Sequence, residues 1–476
     1  MWVLQKLVMI RQLKNPRYLY LAAHLPQMAL GVVLVVVFSR LVESSEFGVF
    51  ARTYAYVNIA SAFIFGWVQM SFLRKANGSS DFGPIEFVVL FQAIFASSAL
   101  VLVVTIFFGA VGLLDFPLLS ALAAISYSSS ISFSQYARGA NKPAAYALIS
   151  MLRFVGILSA GLLLAYAEPS AASLIAAVAI GAALPLPYAA VMAYRNSRRL
   201  GLVVDVRPKE TLLGLLKYGF PASVSLLAVM VMIHGDRFVA GVWLPLDVLG
   251  YYSAQVDIAR QTVYPIIAAL ATSLVPTALA KSRSVGVSEA VRYVGNESDS
   301  LLKISAPLVM VTIFFPDVVL GLLLSGDYST QVDSIATISA LAAWVMAVRL
   351  IKFDPVFHLY SKPGLISLSA IAGLVCWGVV VVPFGALFGP NGFASSALFA
   401  GVVAVLAAVF LSRRAALPCS IVGKESFRKL CIAVAIFLVF VGLVRYWGVD
   451  GEFAAIGALI ATYTYLYFDY RSLARR

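Results

Sequence analysis

Residues 216–264 read LKYGFPASVSLLAVMVMIHGDRFVAGVWLPLDVLGYYSAQVDIARQTVY. The stretch opens two apolar runs, 218–241 and 248–276, with a tight turn between them. Runs of this length are membrane-spanning helices, because roughly 20 apolar residues rising ~1.5 Å each cross a hydrocarbon core of ~30 Å. Yet the pair carries His234, Asp236, Arg237, Asp257 and Arg260. Ionisable groups in hydrocarbon are costly and turn toward a protein interior or a wet cavity. Spacing sharpens the point. Ser253, Asp257, Arg260, Gln261 and Tyr264 recur at i, i+4, i+7, i+8 and i+11, one face of a helix. Ser223, Leu227, Met230, His234, Arg237 and Gly241 make a similar, mostly apolar stripe on the preceding run. The polar face of the second helix is expected to line a cavity.

The whole chain has this character. Its 476 residues are 61% hydrophobic and 12% charged, with a mean hydropathy of +0.93. Soluble domains are about 45–50% apolar and about 25% charged. The fold class is therefore all-α, a polytopic integral membrane protein. Cys376, Cys419 and Cys431 lack metal-ligand or disulfide spacing and read as small apolar residues. The first apolar run, 18–41, is too long for a signal peptide's apolar region and is taken as an uncleaved span.

Fourteen spans are expected, near 18–40, 48–72, 85–109, 113–136, 144–167, 170–194, 218–241, 248–275, 301–325, 333–353, 364–388, 393–412, 428–448 and 452–470. Arg349, Lys352 and Asp354 crowd the end of the tenth. Of the 35 Lys and Arg, 29 fall in alternate connectors and the two termini. Only Arg40 and Arg445 fall in the others, and Arg52, Arg153, Arg237 and Arg260 lie within spans. Such asymmetry marks the basic side as cytoplasmic, with both termini inside. The formal charge of +13 thus reports topology, and no nucleic-acid partner is implied. The expected organisation is a six-span bundle over 1–200, a linker over 201–217, a second bundle over 218–412 and two further spans over 413–476. The connector 281–303 is long enough for a short amphipathic helix at the membrane surface.

The halves share a faint repeat at an offset of 202. Residues 41–50 (LVESSEFGVF) align with 243–252 (WLPLDVLGYY), pairing Gly48 with Gly250 and Phe50 with Tyr252. The charges do not repeat: Arg52 aligns with Ala254, Ala55 with Asp257, and Asn58 with Arg260. Two halves of six spans each have the same orientation, related by an axis along the membrane normal.

These local patterns resemble the polysaccharide-transporter branch of the multidrug/oligosaccharidyl-lipid/polysaccharide exporter (MOP) superfamily, the Wzx-type O-antigen and exopolysaccharide flippases. Leu216-Lys217-Tyr218-Gly219-Phe220-Pro221 matches the family's FGxP start of span seven, Asp236-Arg237-Phe238 its DR ending, and Leu249-Gly250-Tyr251-Tyr252-Ser253 the start of span eight. The resemblance implies two six-helix bundles around a central cleft plus two peripheral helices, in the bacterial cytoplasmic (inner) membrane. It implies a flippase moving undecaprenyl-pyrophosphate-linked oligosaccharides outward, with no cofactor. Its partners would be that lipid-linked glycan, membrane lipids, a glycan polymerase of the same pathway and a coupling H⁺ or Na⁺.

The residue types suit such a substrate. Arg offers a fixed charge and paired donors to phosphate oxygens. Arg260 lies about 18 Å from the outer end of span eight and Asp257 about 14 Å in; Arg153 lies about 14 Å from the inner end of span five. Arg52 and Arg237 lie within about two turns of the outer face. The candidate substrate-binding residues are Arg52, Arg153, Arg237, Asp257, Arg260, Tyr56 and Tyr264, and the candidate ion-coupling carboxylates are Asp236 and Asp257. Blander readings stand beside these. Asp257 and Arg260, at i and i+3, could neutralise each other, Arg52 and Arg237 could snorkel to head groups, and span-end tyrosines commonly form an interfacial belt. His24 and His234 fit hydrogen-bonded helix residues as well as ligands. No P-loop, metal cluster or catalytic domain is legible, so the chain reads as a transporter, not an enzyme. Two alternatives remain: an ion-coupled drug/cation antiporter of the same fold, which would want an anionic cavity, and a membrane-embedded glycan polymerase, which would want a large outer loop.

Overall fold

The computed structural model describes residues 31–75, 87–199, 208–324, 328, 334–418, 424–446, 455–464 and 466. His24, the basic residues before Tyr18, the 201–207 part of the expected linker, Cys419 and the basic tail lie outside the described residues. All regular structure among the described residues is helical. A chain in hydrocarbon must satisfy every backbone group internally, and a helix does so within one segment.

In chain order the helices are α1 (31–41), α2 (Ser44–Ile64), α3 (Gly66–Lys75), α4 (Phe87–Ala110), α5 (Pro117–Gly139), α6 (Pro143–Ala167), α7 (Ala171–Ala183), α8 (Leu186–Arg199) and α9 (Pro208–Trp243). There follow α10 (Leu246–Val285), α11 (Val287–Phe314), α12 (Pro316–Leu323), α13 (Ile335–Lys352), α14 (Asp354–Leu359), α15 (Gly364–Arg414), α16 (Lys424–Tyr446) and α17 (455–464). Each of the fourteen expected spans meets a helix where it is described. Among the described residues six helical stretches, counting α7–α8 and α13–α14 as one each, are long and apolar enough to cross a membrane, and eight if the bent pairs α2–α3 and α11–α12 each count as one span. The bends are 57° and 89°. α5 is helical as expected, but Ser128, Ser129, Ser130, Ser132 and Ser134 lower its hydropathy. Large apolar side chains turn outward on several spans: Phe95 is 77% exposed, Leu163 74% and Leu387 73%. Exposure on this scale suits lipid as the surrounding solvent, not water.

The breaks have local causes. Proline opens α5 and α6, where its missing N–H costs no helical bond. Ser170 caps α7 by accepting from Ser173 N–H at 3.3 Å, and Glu46 Oε2 accepts from Ala171 N–H at 2.6 Å. Two free N-terminal donors of that helix are thereby satisfied. Spans eleven and twelve run on as one helical stretch, α15, whose path turns at Gly389 (φ 58°, ψ −137°) before Pro390. That turn falls in the gap expected between 388 and 393. Residues 281–303 hold no separate amphipathic helix. They are the end of α10 and the start of α11, broken at Gly286, whose φ of 100° suits glycine alone.

The chain forms two compact units, up to Gly250 and from Tyr251. In the first, α9 packs on α2 and α3, α6 on α7, and α5 on α3, α4, α6 and α7. Its core gathers Val68, Phe72, Phe133, Tyr136, Ile149 and Leu215. The repeat becomes physical here. A methyl group added at Gly48 would strike the carbonyl oxygen of Leu246, and one added at Gly250 would strike that of Ser44. Since 44 and 246 are themselves offset by 202, each glycine meets the carbonyl four residues before the other glycine. In the second unit α13 packs on α11 and α15, and α16 on α11. Val263, Ile267, Leu302, Val348 and Ile351 share its core.

Arg349 and Lys352, counted above with the inward connectors, are buried side chains of α13. Lys352 Nζ donates to Asp299 Oδ1 of α11 and to the Gly295 carbonyl at 3.4 Å. Arg349 donates to the Ile366 carbonyl at 3.2 Å and Ser369 Oγ at 3.1 Å, with Asp354 3.7 Å away. Sequence spacing could not show partners lying as far as 53 positions away.

The crossing and the buried pair can each be tested by stability. Gly48→Ala and Gly250→Ala are each expected to destabilise the purified protein by about 1–3 kcal/mol, the range for overpacking. Gly378→Ala, at a helical glycine with open space around it, should be neutral or stabilising. Equal melting temperatures for all three would refute the close crossing. Lys352→Ala should cost about 3–5 kcal/mol by leaving Asp299 buried without its lysine. Lys352→Met with Asp299→Leu should recover most of that loss; a double variant as unstable as the single one would show that the pair is not what holds α13.

Candidate functional site

The first unit concentrates polar chemistry on α2, α5 and α6. Arg153, on α6, is only 6% exposed. Its Nη1 donates to Ser130 Oγ of α5 at 3.2 Å. The guanidinium carbon lies 5.5 Å from the Tyr127 ring centre and 5.3 Å from that of Phe154, within cation–π range. Tyr127 Oη is 3.3 Å from the hydroxyl of Tyr54 on α2, whose ring stacks on Phe50. Asn58, one turn further along α2, donates to the Tyr54 carbonyl at 2.8 Å, and both are half-buried on a helix otherwise packed nearly all round. Among the described residues no carboxylate comes within ion-pair distance of Arg153. Its Nε and the hydroxyls of Ser128 and Ser150 are buried without a hydrogen-bond partner. Ser150 lies one turn before Arg153, on the same helix face. Hydroxyl and ring contacts offset part of a guanidinium's desolvation but not its charge. The arrangement is chemically suited to an anion.

The other cationic residues of this unit are compensated differently. Arg52 Nη2 donates to Asp115 Oδ2 at 2.5 Å and Nη1 to the Gly241 carbonyl at 3.3 Å. It thus ties α2 to the segment before α5 and to the end of α9. Gly241 leaves the room this needs, since a methyl group there would meet Arg52 Cδ. Asp236 and Arg237, on α9, are 0% and 1% exposed. The Arg237 backbone N–H donates to Asp236 Oδ1 at 3.0 Å, and its guanidinium is 3.5 Å from His234 Nδ1. Tyr56 is buried on α2, its hydroxyl bonded to that of Thr105 on α4.

In the second unit, Asp257, Arg260 and Tyr264 lie on α10. From Tyr251 to Tyr264 every residue is buried except Asp257, Gln261, Thr262 and Tyr264, which are half-buried. The partly open positions therefore follow the polar stripe read from the sequence, while Arg260 itself is 8% exposed. Arg52, Asp236, Arg237, Tyr56 and Arg153 fall in the first unit, and Asp257, Arg260 and Tyr264 in the second. Arg153 gathers none of the other candidates around it. Sequence reasoning missed its neighbours Tyr127, Ser130 and Phe154, along with Asp115 beside Arg52 and the Asp299–Lys352 pair. One signal was available: SYSSSISFSQY at 126–136 is too hydroxyl-rich for a lipid-facing span. Among the described residues no group of three or more His, Cys, Asp or Glu could hold a metal ion.

Comparison with known proteins agrees with this membrane architecture. The lipid II flippase MurJ in an inward closed conformation superposes with a TM-score of 0.70 at 16% identity, covering 96% of this chain and all of that one. The MATE multidrug transporter DinF-BH gives 0.60 at 12% identity, covering 85% of this chain and 95% of that one. The eukaryotic MATE transporter AtDTX14 gives 0.56 at 12% identity, with 87% and 96% covered. At such identities the likeness is one of fold. No curated protein sequence matches. Residues 37–333, well over half of the chain, match the family of polysaccharide biosynthesis proteins. The chain belongs to that family, on a helical membrane fold shared with MurJ and the MATE transporters.

Proposed function

We propose that this protein is a flippase that carries undecaprenyl-pyrophosphate-linked oligosaccharides from the cytoplasmic to the outer leaflet of the inner membrane by alternating access. The observation that carries this reading is Arg153: a buried guanidinium held by a serine hydroxyl and two rings, with no carboxylate among the described residues to neutralise it. A diphosphate would supply the missing charge, and arginine meets it with paired donors. Family membership and the fold shared with a solved lipid II flippase support the same class of cargo. In this reading both termini are cytoplasmic, the bundles 1–200 and 218–412 move about a central cleft, and 413–476 adds two peripheral spans. Arg52, Arg237 and Arg260 assist the head group, Tyr264 and Asp257 contact the glycan side, and Asp236 or Asp257 couples transport to H⁺ or Na⁺.

A cation antiporter of the same fold is the rival. It would gain from acidic groups facing the ligand, whereas Arg153, with no carboxylate partner among the described residues, repels cations. No catalytic step is assigned, and a pathway polymerase would be a separate partner.

Complementation of a strain lacking its own flippase tests the reading. Wild type should restore surface glycan, and Arg153→Ala should lower it by about tenfold or more at equal membrane abundance, the scale of one lost charge-assisted contact. Wild-type levels with Arg153→Ala would reject Arg153 as the anion site. Failure of wild type on its native glycan would reject the flippase. A second comparison separates binding from scaffolding at Arg52. If Arg52 serves the head group, Arg52→Ala loses function and Asp115→Ala keeps most of it; equal losses would mean that the ion pair is structural.

A further inference from the structure

An apolar slot lies on the first unit between α2, α4 and α9. Tyr56, Ala60, Phe63, Val104, Phe108 and Phe238 are among the residues lining a cavity of about 190 Å³ with no polar surface. This is below the roughly 300–1,000 Å³ of pockets that enclose a whole drug-sized molecule. It suits a length of chain entering from one side.

Its walls are preformed. The Phe108 ring packs edge-on against Tyr56 at 5.9 Å, against Phe238 at 5.9 Å and against Phe107 at 6.0 Å. The Tyr56 hydroxyl is spent on Thr105. Phe63, which lines the slot, is 55% exposed, and Val103 and Phe107, next in sequence to the lining Val104 and Phe108, are 64% and 63% exposed, so the slot opens toward the apolar surroundings of the unit. Charge sits immediately beside it. Arg52, which pairs with Asp115, is one turn before Tyr56 on the same face of α2, and Arg237, next to Asp236, directly precedes Phe238. An apolar channel next to buried guanidinium groups is complementary to an amphiphile whose hydrocarbon begins at a phosphate.

We infer that this slot binds the first part of the substrate's polyisoprenoid tail, the stretch next to the diphosphate, and so holds the lipid at the edge of the first unit while the head group is carried. This rests on the flippase reading above and extends it to the lipid. Ordinary phospholipid chains are the competing occupant. They would fill the slot without selectivity for the diphosphate.

The test is photocrosslinking in nanodiscs of defined phospholipid, using full-length protein and a polyprenyl diphosphate bearing a diazirine on its first isoprene unit. Peptide mapping should place the label on 59–64, 104–108 or 238. Unlabelled polyprenyl diphosphate should displace it and excess phospholipid should not. Ala60→Phe, which fills the slot, should cut labelling by about tenfold. Val104→Phe fills it from the opposite wall should the first variant not fold. Label elsewhere overturns the inference, as does equal labelling by a diazirine phospholipid that polyprenyl diphosphate fails to displace. Surface-glycan complementation by wild type reports separately on the flippase reading: restored glycan with label elsewhere removes the slot and leaves the flippase.

Discussion

A charge taken out of water must be compensated, and the ways this chain does so organise its chemistry. Moving an ion into a low-dielectric interior costs several kcal/mol even after relaxation. Lys352 meets that cost with Asp299 across two helices. Arg349 meets it with a carbonyl, a serine hydroxyl and a carboxylate held slightly apart. Arg52 meets it with Asp115 and a carbonyl freed by a glycine. These residues look alike in the sequence, yet each is neutralised from within the protein. Among the described residues Arg153 has only one serine hydroxyl and two aromatic rings. Among the described residues no carboxylate does the same for Arg153, so its desolvation is offset only in part.

That distinction explains what could be read beforehand. Helices and span boundaries follow from hydropathy and from proline and glycine, which act locally; the gap before Phe393 and the start beside Pro143 were legible for this reason, whereas the span expected from 113 begins at Pro117. Partners are not local. Asp115 lies 63 positions from Arg52 and Asp299 lies 53 from Lys352, so nothing in either neighbourhood announces the pair. Counting Arg349 and Lys352 as connector charges was a natural result of their place at a span end. Arg153 was legible as an oddity, being far from any carboxylate in sequence. Its setting was legible only in part, through the serine run of α5. The polar stripe of α10 was the clearest case, since a helix face needs no partner to be seen and its half-buried positions 257, 261 and 264 have the expected period.

Serine suits α5 for a physical reason. Its hydroxyl can bond back to a carbonyl three or four residues earlier, as Ser130, Ser132 and Ser134 do, so a serine-rich helix survives in hydrocarbon without other partners. The same hydroxyl can turn toward a ligand at little cost. A row of carboxamides or charges would bind sugars more strongly but would need permanent partners when empty. A hydroxyl-lined helix beside one guanidinium therefore needs few permanent partners of its own.

The repeat shows how such asymmetry arises on a near-symmetric frame. The reciprocal crossing of Gly48 with Leu246 and Gly250 with Ser44 uses only backbone atoms and the absence of a side chain. It constrains two positions in each copy and leaves those a turn further on free to change. There the copies diverge: Arg52 faces Ala254 in alignment, Ala55 faces Asp257 and Asn58 faces Arg260. The shared turn needs only glycine and backbone atoms, so the positions after it are not held by the same constraint and can carry different charges.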